Sequence, residues 1–147
     1  MRIYLKMYSS IISLIGIGLM ILSLFFCFFN AGSTSFFGDD ASLFSLMFGL
    51  NNEEQLIGLL FAFILLLLGI VSNFVSFLFS KLGKEGIKNS SLFAVIGVSL
   101  TFISSILFFL TPVYTSFYSI SFGPFVVGGL LIFSNLFQIP NILYKKL

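Results

Sequence analysis

Four long stretches without a single charged side chain, at about 8–30, 55–80, 90–111 and 122–144, constrain this chain more than anything else in it. Each reaches the roughly 20 residues that cross a hydrocarbon core as a helix. None shows a polar face alternating along it. Unpaired backbone groups are costly in lipid, so helices are expected and not the strands of a barrel. The chain is 59% hydrophobic and 8% charged, far below the charge of about 25% usual in soluble domains. The expected architecture is an all-α integral membrane protein: one domain over residues 1–147, built as a left-handed bundle of four transmembrane helices.

The charges orient the spans. Arg2 and Lys6 precede the first, Lys81, Lys84 and Lys88 lie between the second and third, and Lys145 and Lys146 follow the fourth. All basic residues therefore fall on one side. Asp39, Asp40, Glu53 and Glu54 fall on the other, leaving Glu85 as the one acid among the lysines. The positive-inside rule then puts both termini of a multi-pass plasma-membrane protein in the cytoplasm. Tyr4, Tyr8 and Tyr144 sit at the inner boundary and Tyr114 and Tyr118 at the outer one, where amphipathic rings settle. The first apolar run exceeds the about 7–15 residues of a signal-peptide core, so it reads as a retained span. Cys27 follows the bulky Phe26, which disfavours a lipidated cysteine, and it reads as a small packing residue.

Turn chemistry marks the loops. Within the outer loop 31–54, Asp39 or Asp40 is placed to cap a short helix over 41–48 that Gly49 ends, lying on the membrane or over the outer mouth. Asn51 or Asn52 is placed to start span two. In KLGKEGIKNSS, Gly83 and Gly86 are expected to stop one helix and Asn89 or Ser90 to begin the next. Pro112 should end span three, and Ser121 should cap span four with Pro124 in its first turn.

Inside the spans, small and polar residues recur at alternating steps of four and three. Span one offers Ser9, Ser13, Gly16, Met20, Ser23, Cys27 and Asn30. Span two offers Gln55, Gly58, Ala62, Leu65, Gly69, Ser72 and Ser76, with Asn73 beside them. Span three offers Ser90, Ala94, Gly97, Thr101, Ser104, Phe108 and Thr111, and span four Ser121, Pro124, Gly128, Leu131, Asn135 and Gln138. Lipid gives helices no hydrophobic reason to associate, so small residues that let backbones approach and polar side chains that bond across the gap must do it. A 3.5-residue repeat implies left-handed packing. Asn73, Asn135 and Gln138 are the candidate functional residues. They act either as interhelical glue, worth about 0.6 kcal/mol each, or as the lining of a polar path.

Two of those asparagines follow a serine, and the echo extends further. Span one lies over span three at an offset of 81, matching Gly16 with Gly97 and Ser23 with Ser104; spans two and four align at an offset of 62 through Ser72-Asn73 and Ser134-Asn135. The chain thus also reads as two tandem helical hairpins of one orientation, a parallel repeat.

The chemistry open to such a chain is narrow. It has no histidine and one cysteine, and no charge inside a span, so a His-based metal or haem site, a Ser–His nucleophile and a membrane-embedded proton carrier are not expected. The outer acids can bind a divalent cation weakly if the loop gathers them, but capping and solvation are their ordinary work. No cofactor and no nucleic-acid partner is implied. The layout resembles claudin-like tetraspan proteins in topology, without the Trp and paired Cys of a claudin first loop. With lysine-glycine turns such as KLGKEG and the glycine-led FGPFVVGGLL, it is similar to small four-span proteins of low-GC bacteria. Neither resemblance carries a functional residue over. The expected function is non-enzymatic: an accessory or assembly subunit of a larger membrane or envelope complex, its partners being the bilayer and a protein partner or a second copy held through small-residue faces. The alternatives are a homo-oligomeric channel or permease unit lined by Asn73, Asn135 and Gln138, and a bacteriocin immunity protein.

Overall fold

The computed structural model describes residues 2–28, 43–49, 57–82, 84–110 and 123–143. They form five helices: α1 (Arg2–Phe28), α2 (Leu43–Phe48), α3 (Ile57–Phe79), α4 (Lys84–Phe109) and α5 (Gly123–Leu143). Three contain stretches long and apolar enough to cross a membrane, namely Ser10–Cys27, Ile57–Phe79 and Lys88–Phe109. The apolar part of α5, Gly123–Ile139, falls at the lower end of the about 17–25 residues that spanning helices use.

Neighbouring long helices run antiparallel. The most extensive contact is between α3 and α4, followed by α1 with α5 and α4 with α5, while α1 and α3 meet more sparsely. The short α2 lies against α3 and α1. It is held by Phe44 and Phe48, whose rings stand 6.4 and 6.3 Å from that of Phe63, and by the buried Met47. Gly49, at φ 64°, ends it, because a left-handed residue that closes a helix costs glycine nothing.

The heptad seams fall where the periodicity places them on three helices. Ser13, Gly16, Met20, Ser23 and Cys27 of α1, all six positions from Ser90 to Phe108 on α4, and Pro124, Gly128, Leu131, Asn135 and Gln138 of α5 are buried. On α3, Ala62, Gly69, Ser72, Asn73 and Ser76 are buried, but Gly58 and Leu65 are only half-buried. Leu59 and Leu66 take their places in the core beside Met20, Phe63 and Leu131. The apolar bulk of α3 lets a leucine one step round the helix fill the same gap. Outward faces carry large hydrophobics, among them Ile57, Val71, Leu92 and Phe133.

The turn between α3 and α4 departs from expectation. Gly86, Asn89 and Ser90 do not stop or start a helix; all three lie within α4, which begins at Lys84. The chain reverses over Ser80–Leu82, where the amides of Lys81 and Leu82 bond back to Leu78 and Phe79. Gly86 makes this tight return possible. A Cβ there would strike the carbonyl oxygen of Phe79 and stand 2.9 Å from Leu82 Cβ. Pro124 does sit in the first turn of α5. Asp39, Asp40, Asn51, Asn52, Gly83, Pro112 and Ser121, expected as caps and stops, lie outside the described residues, as do Asn30, Gln55 and Thr111 of the seams.

Candidate functional site

The polar side chains of the core are arranged helix against helix. In a helix interior, a serine hydroxyl commonly bonds back to the carbonyl three or four residues earlier. Along α3 and α4 several reach across instead. Ser76 Oγ donates to Ser90 O at 2.7 Å, Ser90 Oγ donates to Ser76 O at 2.8 Å, and the two hydroxyl oxygens stand 3.2 Å apart. Further along, Ser72 Oγ donates to Phe93 O and Ser104 Oγ to Ala62 O. These bonds fix the register of the α3–α4 pair from one end to the other. Ser90 therefore clasps α3 where a cap was expected.

Asn73 lies in the middle of this interface, wholly buried. Its amide fills the notch left by Gly97, where a Cβ would fall 2.6 Å from Nδ2 and 2.8 Å from Oδ1. Nδ2 donates to Gly69 O at 2.9 Å and points at Met20 Sδ, 3.5 Å away on α1. Both partners are acceptors, which fixes the amide's orientation. Among the described residues Oδ1 has no hydrogen-bond partner. An unsatisfied buried group of this kind costs about 1–3 kcal/mol.

One turn further along α4, Thr101 packs its methyl group where Gly69 has no side chain. Its hydroxyl stands 2.9 Å from Gly97 O, 3.1 Å from Val98 O and 2.6 Å from Asn135 Oδ1 on α5. One proton cannot serve three acceptors. In this orientation Asn135 Nδ2 is buried without a partner among the described residues. Turning the amide by half a revolution lets Nδ2 donate to Thr101 Oγ1, whose proton then goes to Gly97 O. Oδ1 becomes the open end instead. Either way Asn135 keeps one amide atom unanswered by the described residues.

Gln138 differs in having both amide ends engaged. Oε1 accepts from Ser13 Oγ at 3.0 Å and Nε2 donates to Ser13 O at 2.9 Å. The side chain lies over Gly16, where a Cβ would stand 2.6 Å from Nε2. It joins α5 to α1 and stays apart from the Asn73–Thr101–Asn135 group.

Of the three residues singled out from sequence, the structure thus gathers Asn73 and Asn135 around the Gly97–Thr101 turn and places Gln138 on another seam. The partners Thr101 and Ser13 are ordinary seam positions in the sequence. A signal for the two notches was present, since the offset of 81 superposes Gly16 on Gly97, and both receive an amide. Cys27 is buried, its Sγ directed at Ser23 O. Among the described residues no group of three or more His, Cys, Asp or Glu is placed to hold a metal ion. The helices and their buried polar seams define the class: a helical membrane protein. No protein-family profile, curated protein or solved structure matches the chain.

Proposed function

We propose that this chain is a non-catalytic multi-pass protein of the bacterial plasma membrane, an accessory or assembly subunit of a larger membrane or envelope complex. In this reading α1, α3, α4 and α5 each span the bilayer as a left-handed bundle with crossing angles near +20°. Both termini are cytoplasmic, as the basic residues dictate. Two tandem hairpins account for the internal likeness. Adding 62 to α3 and subtracting 81 from α4 carries the Asn73–Gly97 interface onto the α5–α1 interface, where Gly16 receives Gln138, three residues beyond Asn135.

The observation that carries the accessory role is on the outside. Gly18 of α1 and Gly129 of α5 are exposed, and a Cβ on either would meet nothing within 4 Å. Glycine on a lipid-facing surface adds nothing to the fold, whereas it lets a neighbouring helix approach closely. The channel reading is weaker because Gln138 is fully engaged by Ser13. Gentle extraction of the tagged full-length protein from native membranes, with mass analysis of what elutes with it, tests the proposal. A stoichiometric partner is expected, and it should be lost on Gly18→Ile with Gly129→Leu while the protein stays folded. No partner under mild detergent would sink the accessory role.

A further inference from the structure

Lys81 is the first charged residue beyond the apolar run Ile57–Phe79 of α3, which puts it at headgroup depth where that run crosses a bilayer. Its side chain is exposed, and Nζ stands 4.6 Å from the centre of the Phe77 ring. That cation–π contact holds the ammonium at the end of α3 without neutralising it. Among the described residues no carboxylate pairs with it. Counting back from Lys81 in steps of three and four, Leu78, Phe74 and Val71 fall on one face of the helix, and all three are exposed. From Lys81 to Val71 this strip is about 15 Å long, the depth of one leaflet of a hydrocarbon core about 30 Å thick. The starts of α1 and α4 bring Arg2, Lys6, Lys84 and Lys88 to the same end of the fold, against Glu85 alone.

We propose that this surface binds an anionic phospholipid, with its phosphate on the Lys81 ammonium and an acyl chain along Leu78, Phe74 and Val71. Charge complementarity selects the headgroup. A zwitterionic lipid brings its own cation to the phosphate and gains less from the lysine, while a free phosphate leaves the apolar strip uncovered. Lys88 takes no part in the site. It lies two residues from both Gly86 and Ser90, which meet α3, so it stands on the opposite side of α4. Lys88 therefore offers a control with the same change of charge. The inference needs no protein partner and no assigned sidedness.

The full-length protein is reconstituted in bilayers of phosphatidylglycerol and phosphatidylcholine in equal amounts, with identical chains and both leaflets alike. Gentle extraction and native mass spectrometry then count the lipids that stay with each chain. Phosphatidylglycerol should be retained several-fold over phosphatidylcholine, and this excess should disappear in Lys81→Gln while Lys81→Arg and Lys88→Gln keep it. Far-UV circular dichroism checks that the variants are folded, and the lipid preference of the unaltered protein carries the test if one is not. Retention that survives Lys81→Gln, that falls equally with Lys88→Gln, or that does not distinguish the two lipids overturns the proposal. Excess glycerol 3-phosphate, which carries the phosphate without the chains, should leave the lipid in place. If it displaces the lipid, the site takes a free phosphate and the lipid assignment is overturned.

Discussion

Adding one methyl group at Gly97 should loosen the whole α3–α4 interface. In Gly97→Ala the new Cβ falls 2.6 Å from Asn73 Nδ2, 2.7 Å from Cγ and 2.8 Å from Oδ1, where relaxed carbon contacts stand about 3.5–4.0 Å apart. Asn73 is tethered to Gly69 O and has no free space, so α4 must retreat by about 1 Å. Overpacking of this kind costs about 1–3 kcal/mol. The retreat also stretches the Ser72–Phe93, Ser76–Ser90 and Ser104–Ala62 bonds, at about 0.6 kcal/mol each. Alanine's better helix propensity returns up to about 1 kcal/mol. The net loss should be about 2–4 kcal/mol. Equilibrium unfolding in mixed micelles of mild detergent and SDS, followed by far-UV circular dichroism, measures it. Gly18→Ala is the control, because its Cβ meets nothing, and it should be neutral or slightly stabilising. Asn73→Ala in the Gly97→Ala background should recover part of the loss as a coupling between the two sites. If Gly97→Ala unfolds no earlier than Gly18→Ala, the amide-in-notch account of this interface is wrong.

Ser76 and Ser90 each donate to the other's backbone carbonyl, which an alanine keeps, so Ser76→Ala and Ser90→Ala should each cost about 0.6 kcal/mol and their effects should nearly add; the same unfolding assay checks this, and a double variant costing no more than either single one would mean that neither bond forms without the other. The proposed orientation places Lys88, exposed near the start of α4, on the cytoplasmic side. In a Cys27→Ala background, Lys88→Cys should react with a membrane-impermeant maleimide in inverted vesicles and stay unlabelled in intact cells, and the opposite pattern would reverse the assigned topology.

Much of the architecture was legible from the chain because lipid is a severe solvent. Backbone groups must be satisfied within each span, so uncharged length alone reads as helix, and only small or polar residues can draw helices together. That is why seam positions such as Ser13, Gly97, Ser104 and Gln138 could be marked and are buried. The α3–α4 turn is not legible in the sequence because glycines and Asn-Ser normally punctuate helices, and nothing local says that Gly86 is needed for a close return or that Ser90 faces Ser76.

Helical form, the apolar outward faces and the buried seams are written in the residues alone, since each depends on local composition and a 3.5-residue period. Which seam meets which is settled only by the packing of the helices. Pairing is a property of two surfaces at once, and a notch at Gly97 or Gly16 acquires meaning when an amide from another helix enters it. The difference between Gln138, fully bonded to Ser13, and Asn73, left with an open carbonyl oxygen, follows from that pairing. Two buried amides of similar chemistry thus differ in hydrogen-bonding state because of which helix each one meets.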